Sequence, residues 1–131
     1  MTRYLTEEDI ININKQITGN AAVINSGALS NAVEGPKRSY AGNEIYTSLP
    51  SKAYAMALAI AQNHPFEDGN KRTATTAINE FLNLNDHHVS LTNQVTLQAI
   101  VNRLADEDPI EEDEFIESLD KLTEAKAITV V

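Results

Sequence analysis

The chain has 131 residues, of which 42% are hydrophobic, with no cysteine and a formal net charge of -9. This length predicts one domain, 1–131, with a core large enough to fold without staples. Without cysteine, a disulfide framework and a cysteine-ligated zinc site are excluded. No stretch approaches the ~18 uninterrupted apolar residues of a membrane span. The N-terminus turns acidic without an apolar signal core, so we expect a cytoplasmic protein, and the negative charge disfavours direct binding to nucleic acid.

The N-terminal third predicts two helices and a short extended element. Thr6 followed by Asp9 is typical of a capped helix start, and the residues at helical spacing behind it are Ile10, Ile13, Asn14 and Ile17. A second short helix is predicted over Ser26–Val33. The segment Ser39–Tyr46 has aromatic residues on both sides of Gly42-Asn43, which indicates a small hairpin or extended flap. An irregular loop would show much the same pattern.

Two long helices are predicted in the middle of the chain. Lys52–Gln62 is rich in alanine and apolar nearly all round, so we expect it to be the central buried helix. His64-Pro65 ends it, because proline disfavours helical geometry at the preceding residue. The next helix starts around Gly69-Asn70 and runs to about Leu84, with an apolar stripe that includes Phe81.

The C-terminal third predicts two more helices. Thr92–Ala105 is amphipathic, and Asp108-Pro109 has the pattern of a cap and first turn for a last helix that contains Phe115 and Leu119. We expect the tail, 123–131, to fray. The predicted fold class is therefore all-α, a bundle of about six helices with a small β-hairpin or flap.

Between the two long helices, the segment His64–Arg72 contains the parts of an anion-handling catalytic loop. Gly69 and Asn70 stand where a helix begins, where free N–H groups and the positive end of the helix dipole favour an anion. Lys71 and Arg72 add charges suited to phosphate, Asp68 is a potential Mg²⁺ ligand, and His64 is a neutral-pH proton acceptor.

Each of these residues has a simpler explanation when it is taken alone. A histidine before proline is commonly a helix end, a lysine-arginine pair in a first turn is commonly solvated, and an aspartate before glycine is commonly a turn. Their combination in one short loop favours phosphoryl or nucleotidyl transfer.

The segment His64-Pro65-Phe66-Glu67-Asp68-Gly69-Asn70-Lys71-Arg72 resembles the Fic/Doc signature, His-Pro-Phe-x-(Asp/Glu)-Gly-Asn-(Gly/Lys)-Arg, at every restricted position. The alanine-rich helix before it, Thr73-Ala74 after it, Tyr40-Ala41-Gly42 and the start Tyr4-Leu5-Thr6 also resemble Doc-type (death-on-curing) toxins. The resemblance extends over roughly residues 4 to 120 and implies a Fic/Doc-like fold.

The resemblance implies a role for each residue of the segment. His64 resembles the base that deprotonates a target hydroxyl, Phe66 the buried structural anchor and Asp68 the Mg²⁺ ligand. The family's phosphate cradle, which binds ATP as the substrate, corresponds to Gly69, Asn70, Lys71 and Arg72. The resemblance also makes Lys71 and Arg72 catalytic residues together with His64. The flap that contains Tyr40, Gly42 and Tyr46 resembles the element that aligns an extended target segment.

Two enzymatic hypotheses follow from the residues on either side of Asn70. Lysine there is Doc-like and implies transfer of the γ-phosphate of ATP to a serine or threonine of a protein, with elongation factor Tu as the family's expected target and translation inhibition as the outcome. AMP transfer is the alternative, because Gly69 is the Fic-like choice where the best-known Doc motif has alanine. A non-catalytic binding module is the third hypothesis, which the intact motif disfavours.

Regulation and other candidate sites stay open at this stage. The Doc-type expectation is an antitoxin whose C-terminal segment folds as a helix into a groove near the active site. Ser30-Asn31-Ala32-Val33-Glu34-Gly35 matches the short inhibitory pattern of many Fic proteins, although an ordinary helix fits it as well. His87-His88 is expected in a solvated loop rather than a metal site, and the acidic runs between Asp106 and Glu117 are expected to be helix-capping and solvated.

Overall fold

Helices form the framework of the computed structural model, which describes residues 1–127. Its six α-helices are α1 (Glu7–Thr18), α2 (Ser26–Glu34), α3 (Leu49–Asn63), α4 (Asn70–Leu84), α5 (Gln94–Arg103) and α6 (Glu112–Leu122). Two antiparallel strand pairs accompany them: β1 (Ser39–Tyr40) with β2 (Asn43–Glu44), and β3 (His87–Val89) with β4 (Thr123–Ala125). The predictions of an all-α bundle and a small hairpin are confirmed.

The helix α3 is the centre of the bundle and packs against α4, α2 and α6. Its alanines are almost completely buried, and small side chains allow neighbouring helices to approach closely. Three phenylalanines fill the space around it, Phe66, Phe81 and Phe115, each at most 1% exposed. Burial of such large apolar side chains provides most of the driving force for folding.

The helix α1 begins and ends where its sequence predicts. The Thr6 side chain accepts a hydrogen bond from the Asp9 N–H, and the Asp9 carboxylate accepts one from the Thr6 N–H at 2.8 Å. Gly19 ends the helix at φ 78°, a left-handed conformation that glycine adopts at little cost. Because α1 packs against α4, it lies behind the loop that connects α3 and α4.

The prediction that Asp108-Pro109 starts the last helix is wrong. The helix α6 begins at Glu112, with Glu111 extended before it. The reason is a contact distant in sequence, since the Ile110 N–H donates to the Arg103 carbonyl at 3.2 Å and the Ile110 side chain is buried. This segment is thereby tied to the end of α5 and cannot begin a helix.

The predicted fraying of the tail after Thr123 is also wrong for the residues that the structure describes. Thr123–Ala125 forms β4, which pairs with β3 in the register Val89↔Thr123 and His87↔Ala125. His87 and His88 therefore lie in a strand, not in a solvated loop. The remaining part of that prediction, 128–131, lies outside the described residues. Across residues 1–127, no helix has the length and apolarity that crossing a bilayer requires.

Candidate active site

The loop between α3 and α4 begins at His64, the C-cap of α3. This residue has φ 53° and ψ 71°, the left-handed conformation that ends the helix before Pro65. Histidine tolerates this region better than most residues other than glycine. The turn of the chain leaves the His64 side chain exposed, so its imidazole is accessible to a substrate hydroxyl.

The loop is closed by the side chain of Asn70. Its Oδ1 accepts a hydrogen bond from the Phe66 N–H at 3.0 Å, and its Nδ2 donates to the Phe66 carbonyl at 2.7 Å. Asn70 is 9% exposed and Phe66 is completely buried. The side chain of Asn70 thus shapes the loop, so a contribution of this residue to a phosphate cradle would come from its backbone N–H.

A segment after α1 binds the other edge of the loop. The Ile24 N–H donates to the Pro65 carbonyl at 2.8 Å, and the Glu67 N–H donates to the Ala22 carbonyl at 2.9 Å. Val23 and Phe66 form an isolated antiparallel bridge between them. This segment, 22–25, is called the clamp below.

Asn14 on α1 supports the loop from behind. It is completely buried, and its Nδ2 donates to the Asp68 carbonyl at 2.8 Å and to the Thr73 hydroxyl at 3.1 Å. Gly69 lies directly against the same helix with φ 75°, and an added Cβ would come within 2.8 Å of the Thr18 Cγ2 atom. Both the backbone conformation and the close packing require glycine at position 69.

One cleft contains five of the seven residues that the sequence singled out in the segment His64–Arg72. It has a volume of about 290 Å³ and is lined by His64, Glu67, Asp68, Gly69, Asn70, Lys71 and Ala105. The structure therefore brings the predicted base, the predicted metal ligand and the start of α4 together. Arg72 is exposed but does not line this cleft, and Phe66 lies beneath it as a buried residue.

The charge at the start of α4 is opposite to that at the starts of α1 and α6. The first turns of α1 and α6 are acidic, as the helix dipole favours. The first turn of α4 has no acidic residue and no side-chain cap, and it contains Lys71 and Arg72 instead. Within residues 1–127 neither cation forms an ion pair, so this end of the helix is suited to an external anion.

Two exposed carboxylates, those of Glu67 and Asp68, line the cleft and could bind Mg²⁺. Asp68 is exposed, and its Oδ1 accepts the Gly69 N–H at 2.8 Å. Among the residues described, no group of three or more histidine or acidic side chains is arranged to hold a metal ion. The arrangement fits Mg²⁺ held by one carboxylate together with substrate phosphates, which is the usual way in which proteins bind this ion.

The flap lies outside the cleft. Tyr40 is 80% exposed, Gly42 forms the turn at φ 82°, and Tyr46 is half-buried. Lys52 on α3 fastens the base of the flap: it is 2% exposed, its ammonium lies 3.2 Å from the Glu44 carboxylate, and it donates to the Tyr46 carbonyl.

A groove connects the flap to the residue before His64. One cavity of about 110 Å³ is lined by Tyr46, Arg38 and Asn63, among others. A second, of about 310 Å³, shares Asn31 and Asn63 with the first and extends to Asn25. The two cavities together form a polar path between the flap and the catalytic loop.

The remaining candidate sites lie away from the cleft. His87 Nδ1 lies 2.7 Å from the Asn85 carbonyl, and His88 Nε2 lies 3.5 Å from the Glu124 carboxylate across the strand pair. Glu34 of the inhibitory-like pattern lies 3.8 Å from Lys37 Nζ, and neither Ser30 nor Glu34 lines the cleft.

Sequence reasoning missed three elements that support the site: Asn14, the clamp and Lys52. The signal for Asn14 was present, because it is the one polar member of an otherwise isoleucine-rich stripe on α1. A lysine in a helix that is apolar nearly all round was a comparable signal for Lys52. The clamp has no pattern of its own, since its role depends on backbone groups.

Comparison with known proteins assigns this fold and site to a family. A family model described as the Fic/DOC family matches residues 4–82, a range that includes α1, the flap, α3 and the whole loop. The chain belongs to the Fic/DOC family, whose members are protein-modifying enzymes that use nucleotides.

The chain is also similar to a protein described as Toxin Doc from Mycolicibacterium smegmatis. The two are 38% identical over 86 residues, which is 65% of this chain and 66% of that relative. The matched segment spans slightly less than two thirds of the relative's own length.

Proposed function

We propose that this protein is a Doc-type toxin that transfers the γ-phosphate of ATP to a serine or threonine hydroxyl of a protein. The observation that supports this most strongly is the uncapped, cationic start of α4 in the same cleft as His64. Cations at a helix N-terminus cost up to ~1 kcal/mol of stability. Their presence beside an accessible base is explained by an anionic substrate that binds there.

In the proposed reaction, His64 accepts the proton of the target hydroxyl as that oxygen forms a bond to the γ-phosphorus. The bond between the γ-phosphorus and the bridging oxygen breaks, and ADP leaves. Lys71 and the N–H groups at the start of α4 stabilise the phosphate charge, a role in which Arg72 joins them if its side chain turns toward the cleft. Asp68 would hold Mg²⁺, which supplies neutralisation of the phosphate charge when bound.

Transfer of phosphate, rather than AMP, is favoured by Lys71, and Gly69 does not oppose it. Lys71 lines the cleft with His64, which supports placing a charged terminal phosphate near the base. Gly69, the Fic-like choice, has a local reason in its positive φ and its contact with Thr18. Because this glycine is required by the loop itself, it does not indicate which part of the nucleotide is transferred.

The target is proposed to bind along the flap and the groove beside it. The strand β2 is fully exposed, so an extended segment could add to it. The polar groove from Tyr46 to Asn63 then leads toward His64. Elongation factor Tu is the target that the family resemblance implies, and its modification would inhibit translation.

The similarity to a protein named Toxin Doc supports a partner antitoxin. We infer inhibition in trans, by an antitoxin segment that folds as a helix in a groove near the cleft. An internal inhibitory role for Glu34 is disfavoured, because its carboxylate is near Lys37 and it does not line the cleft.

The proposal is tested by incubating the protein with Mg²⁺, elongation factor Tu in a bacterial extract, and ATP labelled at either the γ- or the α-phosphate. We expect protein label from the γ-phosphate alone, and none with His64→Ala. Label from the α-phosphate would replace phosphate transfer by AMP transfer. Growth arrest of equal strength by the wild type and by His64→Ala would indicate a binding module instead.

A further inference from the structure

The peptide between Asp68 and Gly69 is held from the side of α1 by one buried residue. Asn14 Nδ2 donates to the Asp68 carbonyl at 2.8 Å. In a planar trans peptide the carbonyl and the following N–H point in opposite directions. The Gly69 N–H therefore points away from Asn14, and it donates to the Asp68 Oδ1 at 2.8 Å.

This arrangement links a buried amide to a carboxylate in the cleft. We propose that Asn14 is a positioning residue for Mg²⁺-nucleotide binding, acting by fixing the Asp68–Gly69 peptide and through it the Asp68 carboxylate. The inference rests on the proposed function, because it requires that Asp68 binds the metal ion. Asn14 itself lines no part of the cleft.

Without Asn14, the peptide between Asp68 and Gly69 could also adopt a second orientation. Gly69 has φ 75°, and glycine populates both signs of φ about equally, so the 68–69 peptide can turn over at little cost. Thr18 blocks only the space beside the Gly69 Cα, and it does not bind the Asp68 carbonyl. Asn14 is therefore the group that selects the observed orientation.

The chemistry of Asn14 is hard to explain by packing alone. It is completely buried in a helical stripe whose other members are isoleucines, and an unpaired buried amide would be costly. Its Oδ1 accepts from the Thr18 hydroxyl at 3.3 Å, so both ends of the amide are used. Leucine has a similar size and would suit the stripe better on hydrophobic grounds.

The test compares Asn14→Leu with two controls in equilibrium binding of ATP, with Mg²⁺ and with EDTA. Groups that orient metal ligands typically contribute ~10–100-fold to metal affinity, so we expect Asn14→Leu to weaken Mg²⁺-ATP binding by at least ~10-fold. Binding of ATP in EDTA should be unchanged. Asn12→Leu, on the exposed face of the same helix, and Thr73→Val, which removes only the second hydrogen-bond acceptor of the Asn14 amide, should both keep the magnesium dependence.

A double-mutant cycle tests whether Asn14 acts through Asp68. Asp68→Ala should lose the magnesium dependence, and adding Asn14→Leu should then cause no further loss, because the two changes remove the same effect. Additive losses would overturn the inference. So would an equal weakening with and without Mg²⁺, which would indicate a general loosening of the loop.

A second measurement does not depend on nucleotide. The Gly69 amide signal in a ¹⁵N spectrum should exchange faster with solvent in Asn14→Leu than in the wild type, while the amides of α3 are unchanged. Unchanged Gly69 exchange would contradict the inference even if the binding results agreed. A wild-type chain whose ATP binding is independent of Mg²⁺ would instead overturn the proposed role of Asp68, and this inference with it.

Discussion

The loop between α3 and α4 and the flap are held in opposite ways. The loop is fixed on every side: Asn70 closes it from within, the clamp binds its edge, and Asn14 supports it from behind. All four strand residues of the flap are exposed, and its base is fastened through Lys52.

This difference matches the chemistry that each region is proposed to perform. Phosphate transfer requires donors that are already oriented when the charge develops, because reorientation would raise the barrier. Binding of an extended target segment requires an exposed strand edge that can adapt to its partner. The contrast predicts that changes in the loop affect transfer or stability strongly, whereas changes at the flap affect target binding.

The largest effect is expected for His64. A positioned general base typically contributes 10²–10⁴-fold, so His64→Ala should reduce phosphate transfer by about that factor. His64→Asn should lose as much, although asparagine tolerates the left-handed conformation of this residue. Initial rates of target phosphorylation measure both variants.

Thermal unfolding of the two His64 variants is the control, and their melting temperatures should remain near that of the wild type. If His64→Asn kept its activity while His64→Ala lost it, the loss of activity in His64→Ala would come from a changed backbone conformation and not from the missing proton acceptor.

A large effect on stability is expected for Asn70. In Asn70→Ala the buried N–H and carbonyl of Phe66 lose their partners, and each such group costs about 1–3 kcal/mol. We expect the free energy of unfolding to fall by roughly 2–6 kcal/mol, together with loss of transfer. Chemical denaturation measures the change.

Asn63→Ala is a matched control, because this asparagine precedes the loop and is exposed. It should remain close to the wild type in stability. An equal destabilisation by both substitutions would contradict the view that the loop is fixed by the Asn70 side chain.

A smaller and more selective effect is expected for Lys52. In Lys52→Met the flap loses its bonds at Glu44 and Tyr46, so it should be less well oriented for its target. We expect the KM for the protein target to rise by about 10-fold, the equivalent of one hydrogen bond of roughly 1.4 kcal/mol. The affinity for ATP should be unchanged, because the flap lies outside the cleft.

Steady-state kinetics with both substrates varied separates the two constants for Lys52→Met. Lys121→Met, at a 73% exposed side chain on α6, is the control and should change neither of them. A parallel loss of ATP affinity in Lys52→Met would show that the flap and the loop are not independent.

The smallest effect is expected for Glu80, which lies in α4 near Asp9 of α1. Burial, and secondarily the Asp9 carboxylate, raises the pKa of Glu80 above its usual value. A raised pKa means that the folded state binds the proton more tightly than the unfolded state. The corresponding stability is complete below the ordinary glutamate pKa of about 4.3 and is lost as the pH rises through the raised value.

Glu80→Gln should therefore melt at a slightly higher temperature than the wild type at neutral pH, because glutamine resembles the protonated form. The advantage should disappear below about pH 4, and salt should reduce the part of it that comes from repulsion by the Asp9 carboxylate. A Glu80→Gln variant that is less stable at neutral pH would contradict the direction of the shift.

Local patterns in the sequence were sufficient for most of the helices and for the break between α3 and α4. The capping pattern of Thr6 and Asp9, the apolar character of α3 and the break at His64-Pro65 all act within a few residues. The last helix was misplaced because the bond from Ile110 to Arg103 overrides a good local cap. The strand β4 was missed because its partner, β3, is more than thirty residues away in the chain.

The same limit explains what was missed at the site. The residues of the motif are consecutive, so the local sequence was enough to propose their chemistry. Asn14 contacts Asp68 across 54 positions of sequence, and the clamp contributes backbone groups that any side chain could accompany. Such support depends on how α1 packs against α4, which no local pattern specifies.

Intact-mass analysis of elongation factor Tu after incubation with the protein, ATP and Mg²⁺ tests the central claim most directly. The account predicts a product heavier by one phosphate group, formed by the wild type and by Asn12→Leu but not by His64→Ala. A product heavier by one AMP, or the phosphate product formed equally by His64→Ala, would contradict it.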